Sequence, residues 1–327
     1  MKNLLLVLAL VLFISCSEDD GPSGTRFVDD VFSEAEITFD VNYGANKALA
    51  GVKSDLYLDV YEPAGDGGER RPTIVLAHGG AFINGTKSQL KEMCEAYARK
   101  GYVVASIGYR LINDPGLLER DSVGFTLGFT ESVIMAIGDM RAAIRYLRND
   151  ALNENNFGID PEMMFAGGVS AGAVMANHVG YWDENESIPD YMQGILDDNG
   201  GFEGNTNDIS QSSSVKGVVS FSGSLFDENW MDASDPQAYF VHEELDPVVP
   251  CGYQGSSLFP YLVFAYGACE LNPKLTELGI NSEYELLAGI STHVGYLGNE
   301  NPDTESDIYI NQYVEASAQF LAGIIAN

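Results

Sequence analysis

Gly168-Val169-Ser170-Ala171-Gly172 is a G-x-S-x-G pentapeptide set between an apolar run, Met163–Ala166, and a helix-period segment that opens at Ala171. In that setting the serine occupies a sharp strand-to-helix turn with its Oγ pushed into the open. The flanking glycines remove Cβ atoms that would clash there. The N-terminus of the following helix brings positive potential to the place where an oxyanion would form. A serine hydroxyl is a weak nucleophile, so such a site needs three further parts: a base, a group that orients the base, and donors for the developing charge.

The chain has four histidines from which to draw the base. His178 lies on the helix opened by Ala171, more than two turns along, and cannot reach back to Ser170. His242 closes an apolar strand and reads as a structural neighbour, and His78 reads as a residue that orients its own loop by hydrogen bonding. His293 remains. It lies in Gly289-Ile290-Ser291-Thr292-His293-Val294-Gly295-Tyr296, a small-residue loop between the strand Tyr284–Leu287 and the last helix, and is assigned as general base. For the orienting carboxylate, Glu243, Glu244 and Asp246 compete within Val241-His242-Glu243-Glu244-Leu245-Asp246-Pro247-Val248-Val249-Pro250. Asp246 lies furthest past the strand end, in a loop stiffened by the prolines, and is assigned the role. His78-Gly79-Gly80-Ala81-Phe82 follows the apolar strand Thr73–Ala77. Its adjacent glycines, Gly79 and Gly80, let backbone amides face a ligand. The expected oxyanion donors are the N–H groups of Gly80, Ala81 and Ala171, and one such donor contributes about 3–4 kcal/mol. No Gly-Lys-Ser/Thr follows at the spacing of a phosphate loop. Chemistry of this kind needs neither metal nor organic cofactor.

These residues must be carried by a regular frame. Glu36–Val41 and Leu56–Tyr61 alternate apolar and polar residues, as half-buried antiparallel strands do. Thr73–Ala77, Tyr102–Ile107, Met163–Ala166, Gly217–Phe221, Ala238–Val241 and Tyr284–Leu287 are near-continuous apolar runs, the pattern of parallel strands covered on both faces. Helix periods run over Gln89–Lys100, Thr130–Asp150, Ala171–Tyr181 and Tyr309–Ile325. A short helix is expected over Pro273–Leu278, with Asn272 as its N-cap. The alternation predicts an α/β domain with a mostly parallel central sheet and helices on both faces. Each candidate residue then falls just beyond a strand C-terminus, where open α/β sheets bind ligands. Residues 111–129 and 183–214 do not fit the alternation and are read as loop excursions around the site.

Of 327 residues, 17 are Lys or Arg and 48 Asp or Glu, a formal net charge of −31. A surface so acidic disfavours nucleic acid and anionic lipid as partners. Residues 1–15 comprise a basic start, Met1-Lys2-Asn3, and an apolar run from Leu4 to Ile14, too short for a spanning helix. Phe13-Ile14-Ser15-Cys16 resembles the lipobox of bacterial lipoproteins, with Phe13 where Leu is usual. The resemblance implies lipidation of Cys16, export, and membrane contact only through that anchor. Ser17-Glu18-Asp19-Asp20 resembles the acidic tether of surface lipoproteins, and residues 16–30 are expected to be flexible. No other stretch is read as spanning a bilayer, and residues 31–327 are read as one domain. In an oxidising compartment Cys251 and Cys269, close together in loop-like sequence, are expected to pair, leaving Cys94 buried in a helix.

The order Ser170, Asp246, His293, with the H-G-G loop upstream, resembles the α/β-hydrolase superfamily. The similarity is greatest to carboxylesterases of the hormone-sensitive-lipase and feruloyl-esterase-like kind. Tyr109-Arg110, Asp139-Met140-Arg141-Ala142-Ala143-Ile144-Arg145-Tyr146-Leu147 and Asn155-Asn156-Phe157-Gly158-Ile159-Asp160-Pro161 extend the resemblance, and Ala81 departs from it where the lipases carry a third Gly. The resemblance implies a serine esterase acting on short-chain or carbohydrate-linked esters, such as acetyl or feruloyl groups. Phe82, Phe125, Phe129, Phe202, Phe226 and Trp230 are candidates for an apolar acyl pocket. Two other readings stay open at this point: a serine peptidase of the prolyl-oligopeptidase type, and a surface glycan-binding protein with an idle triad.

Overall fold

The computed structural model describes residues 24–49, 51–68, 70–114, 116–255, 264–298 and 306–326. The signal segment, residues 1–15, and Cys16 lie outside the described residues. Eight strands form one sheet. They are β1 (Ala35–Lys47), β2 (Lys53–Pro63), β3 (Arg71–Ala77), β4 (Val103–Ile107), β5 (Ile159–Val169), β6 (Gly217–Phe221), β8 (Gln237–Glu243) and β10 (Ser282–Leu287), in the order β1-β2-β4-β3-β5-β6-β8-β10. A separate antiparallel ribbon pairs β7 (Ser224–Leu225) with β9 (Tyr266–Gly267). The first two pairings, β1 with β2 and β2 with β4, are antiparallel, and the rest of the large sheet is parallel. The alternating segments therefore lie at the antiparallel edge and the apolar runs in the parallel part, but Tyr284–Leu287, expected to be covered on both faces, forms the edge strand β10, none of whose residues is buried.

Helices α1 (Lys91–Arg99) and α6 (Ser306–Ile325) cover one face. On the other lie α2 (Ser122–Leu152), α3 (Ala171–Tyr181), α4 (Asp190–Asp198) and α5 (Ala268–Leu278). Strand β3 is buried along its whole length, and its side chains alternate between the two cores. Val75 and Ala77 pack with Val133 and Met175, and Ile74 and Leu76 with Cys94 and Leu321. This architecture is the expected parallel α/β sheet with helices on both faces.

Several local expectations are corrected. The excursion read over residues 111–129 gives way to helix at Ser122, not Thr130. Asp121 caps α2 by accepting the Gly124 N–H at 2.8 Å, and burial of Phe125 outweighs the glycines of that turn. At 31 residues α2 is long and apolar enough to cross a bilayer by composition, contrary to the expectation that no such stretch exists, but most of it is buried against the sheet. The excursion at 183–214 contains α4 and is pinned by arginines from one face of α2. Arg141 donates to the Trp182 carbonyl (2.9 Å), Arg145 to that of Glu203 (2.9 Å) and Arg148 to that of Ser214 (2.7 Å). Helix α5 starts at Ala268 with Pro273 inside it, not at the first helical position. Its first N–H groups are taken by His242 Nδ1 and the Cys251 carbonyl, which lets the helix begin a turn earlier. The last part of the expected flexible tether, from Gly24 on, is folded against the domain. The Phe27 N–H donates to the Lys100 carbonyl at 2.7 Å, and the Phe27 ring packs on Tyr102.

Candidate active site

Ser170 sits at φ 55°, ψ −117°, between the end of β5 and the start of α3. A left-handed backbone at a non-glycine residue is strained and persists where the surroundings enforce it. Here the enforcement is close backbone packing. A Cβ on Gly168 would lie 2.4 Å from the Gly172 carbonyl carbon, and one on Gly172 would lie 1.9 Å from the Ala77 carbonyl oxygen. The Ser170 N–H donates to the Phe221 carbonyl at 2.8 Å, fixing the elbow to β6.

Three side chains from separate strand ends meet there. His293 Nε2 lies 2.7 Å from Ser170 Oγ, and His293 Nδ1 lies 2.6 Å from Asp246 Oδ2. The second oxygen of Asp246, Oδ1, accepts the N–H groups of Val248 (2.8 Å) and Val249 (3.0 Å). Burial works to raise the Asp246 carboxyl. The nearby imidazoles of His242 (3.6 Å) and His293 (2.6 Å) and the Val248 amide outweigh it and hold the group below its ordinary value. An ionised Asp246 accepts a hydrogen bond from the Nδ1–H of His293 and leaves the Nε2 lone pair to accept from the serine hydroxyl. His242 is buried behind the carboxylate. Its Nδ1 accepts from Ala268 N–H, so its Nε2 proton points to the Val249 carbonyl at 2.7 Å, with Asp246 Oδ2 at 3.6 Å.

The H-G-G loop leaves β3 and folds tightly over the elbow. Gly80, Ala81 and Phe82 take φ values of 114°, 53° and 61°, and the Gly80 carbonyl accepts from both Ile83 N–H and Asn84 N–H. Among the described residues, the N–H groups of Gly80, Ala81 and Ala171 have no acceptor. Ala81 and Ala171 line the same cavity as Ser170. His78 is buried and stacks on Tyr109 at 4.4 Å. Its Nδ1 donates to the Gly79 carbonyl at 2.7 Å, while its own carbonyl accepts the Tyr109 hydroxyl at 2.9 Å. Burial depresses the His78 imidazole against the pull of the Gly79 carbonyl, which suits a neutral ring that shapes the loop.

The cavity in front of Ser170 has a volume of about 380 Å³, within the usual range for small-molecule sites. Phe82, Phe125, Phe129 and Phe226, four of the six aromatic candidates, line it together with Val133 and Val174. The other two do not. Phe202 lies over the Arg141 guanidinium at 3.5 Å, and Trp230 stacks on Trp182 at 5.2 Å. Asn113, Asp114 and Gln254 add polar groups to the lining. Val248, Val249 and Pro250 form another part of the wall. Their loop is tied down directly afterwards by the disulfide between Cys251 and Cys269, whose Cα atoms are 5.1 Å apart. Cys94 is a free thiol, and burial pushes its pKa well up.

Sequence reasoning passed over two contributors. Tyr109 supports the H-G-G loop through its ring and hydroxyl, both on His78. Glu243, in sequence only a rival to Asp246, lies fully buried beneath the loop that carries His293. The available signal was a carboxylate closing an apolar strand, since a buried charge of that kind must find several donors.

Residues 58–230, just over half of the chain, match the model of the BD-FAE family. Among curated relatives, the fumonisin B1 esterase of Sphingopyxis macrogoltabida is 30% identical over 156 residues, 46% of this chain and 26% of that protein. Esterase-5A of Drosophila persimilis is 32% identical over 130 residues, 39% of this chain and 21% of the relative. The chain thus aligns with about a quarter or less of the length of these relatives. Esterase 2 of the planctomycete Thermogutta terrifontis, solved with propionate bound, superimposes with a TM-score of 0.60 at 20% identity, over 89% of this chain and 94% of that one. A truncated carbohydrate esterase from gut microbiota does so with a TM-score of 0.62 at 18% identity, over 91% and 99%. The chain belongs to the BD-FAE family and has the α/β-hydrolase fold.

Proposed function

We propose that the protein is a carboxylic ester hydrolase that works through an acyl-enzyme on Ser170. The observation that carries this reading is the hydrogen-bonded line Ser170–His293–Asp246, with spacings of 2.7 and 2.6 Å. In the first step His293 Nε2 takes the hydroxyl proton as Ser170 Oγ attacks the ester carbonyl. Asp246 holds the imidazole in the right tautomer and stabilises the imidazolium. The amides of Gly80, Ala81 and Ala171 receive the oxyanion. The imidazolium then protonates the leaving alcohol, and water releases the acid by the reverse sequence.

The family match and the esterase relatives support the ester-hydrolase class. The apolar cavity supports an apolar acyl group, short-chain or feruloyl-like in size. The carbohydrate-esterase neighbour supports a sugar-linked ester as the natural substrate. From residues 1–20 we further propose an exported lipoprotein held at a bacterial outer membrane or cell surface through Cys16. The test of the activity is labelling by a fluorophosphonate probe, followed by a panel of acetyl, butyryl, feruloyl and peptide substrates. The expected result is a label on the Ser170 peptide and turnover of esters. Absence of label, or cleavage of peptides alone, contradicts the reading.

A further inference from the structure

Glu243, the last residue of β8, is fully buried, yet the ester-hydrolase chemistry does not call on it. Burying a carboxylate is costly unless donors surround it. Here they do. Oε2 accepts the Ser222 hydroxyl at 2.7 Å, and Oε1 accepts the Gly295 N–H at 3.0 Å and the Thr292 hydroxyl at 3.3 Å. The two oxygens hold two different pieces of chain. Ser222 directly follows Phe221, whose carbonyl takes the Ser170 N–H. Thr292 and Gly295 bracket His293 on the loop after β10. One side chain therefore ties the wall that fixes the nucleophile to the loop that carries the base.

That loop needs a hold. Val294, next to His293, has φ 50° and ψ 21°, a left-handed conformation that a β-branched residue adopts only under strain. The amide that follows the strained residue is the Gly295 N–H that Glu243 accepts. Tyr296 is drawn into the same network, its hydroxyl 2.9 Å from Ser222 Oγ. Val294 and Leu297 pack against the core beside buried Tyr296, whereas the N-terminal end of the loop has little apolar anchorage, with Ile290 44% exposed. Without the carboxylate, only side-chain packing and the Asp246 bond oppose relaxation of Val294 toward ordinary backbone angles, a change that carries the imidazole out of line with Ser170.

We propose that Glu243 is a positioning residue for His293, setting its reach to Ser170 through hydrogen bonds and never touching substrate. The proposal rests on the ester-hydrolase reading. Its test compares Glu243→Ala, Glu243→Gln and Thr292→Val with wild type and Ser170→Ala, using p-nitrophenyl butyrate after thermal melts of each protein. A folded Glu243→Ala is expected to lose about 100-fold in kcat, the scale of a misplacement near 1 Å. KM is expected to stay within about 2-fold, because Glu243 does not line the acyl cavity. Glu243→Gln is expected to recover most of the rate, since its amide oxygen can accept from the loop while its NH2 donates to Ser222 Oγ. Thr292→Val, at an exposed position, is expected to keep its fold and lose a few-fold in kcat. Unchanged kcat in folded Glu243→Ala overturns the proposal, as does a Glu243→Gln no better than the alanine variant. If Glu243→Ala does not fold, Thr292→Val decides, and an unchanged rate there overturns it. Wild-type turnover by Ser170→Ala instead overturns the ester-hydrolase reading itself, so the two failures are read apart.

Discussion

Gly172 lies so close to Ala77 that a Cβ added to it would sit 1.9 Å from the Ala77 carbonyl oxygen. The first turn of α3, which directly follows Ser170, thus rests directly on the end of β3, from which the H-G-G loop leaves. The spacing between Ser170 and the H-G-G loop is set by backbone against backbone. Gly172→Ala must push the two apart. It is expected to lower stability by about 1–3 kcal/mol, the usual range for overpacking, and to abolish fluorophosphonate labelling in whatever folds. Gly194→Ala is the control. It lies inside α4 with open space around it and is expected to raise stability by about 0.5–1 kcal/mol, both shifts read from denaturant midpoints.

Asp246→Asn is expected to leave the fold intact and lower kcat by about 10⁴-fold. The direction follows from the two amides of Val248 and Val249 on Oδ1. They hold the asparagine oxygen in place and turn its NH2 toward His293 Nδ1. Nδ1 must then accept, so Nε2 carries the proton and faces Ser170 as a donor, the wrong tautomer for a base. Steady-state rates beside thermal melts check this, and a variant with near-native kcat contradicts the assigned role.

The cavity lining of Phe82, Phe125, Phe129, Val133 and Phe226 makes acyl length a direct probe of the pocket. Each methylene buried there contributes about 0.8 kcal/mol, close to fourfold in kcat/KM. Rates for p-nitrophenyl acetate, butyrate and hexanoate are expected to climb in that order and fall only when the cavity is full. A steady decline from acetate contradicts this use of the cavity.

His178 illustrates a pH effect on stability with no part in the reaction. Burial holds its imidazole neutral, pushing its pKa down to about 3, while the unfolded residue titrates near 6.5. Between these values the unfolded chain binds a proton that the folded chain refuses, so stability falls as pH drops through that window. Asp235, which burial raises to about 7, contributes the opposite slope, but equally in wild type and variant. The stability advantage of wild type over His178→Gln is therefore expected to narrow below pH 6.5, by at most about 1.4 kcal/mol per pH unit. Urea midpoints across pH 4.5–7.5 check the sign, and a gap that widens on acidification contradicts it.

Much of this site was legible because its parts obey short-range rules. A serine flanked by glycines between strand and helix, a Gly-Gly turn after a buried strand, and a histidine on a small-residue loop each announce themselves within a few residues. Elimination among four histidines then singled out His293. What escaped depends on partners distant in sequence. The Asp121 cap of α2 is local, but it outweighs the neighbouring glycines only with the burial of Phe125, which elements distant in sequence supply. The early start of α5 rests on His242 and on the Cys251 carbonyl. Glu243 looked like one of three loop carboxylates, and only the meeting of β6, β8 and the His293 loop distinguishes it from Glu244, whose Oε2 accepts Gly289 N–H at an exposed position.

The most direct test of the central claim is active-site titration with p-nitrophenyl acetate, comparing wild type with Ser170→Ala under identical conditions. Wild type is expected to give a burst of p-nitrophenol and an acetyl group trapped on the Ser170 peptide, and the variant neither burst nor adduct. A burst of equal size from Ser170→Ala, or an acetyl group trapped elsewhere, would contradict that claim.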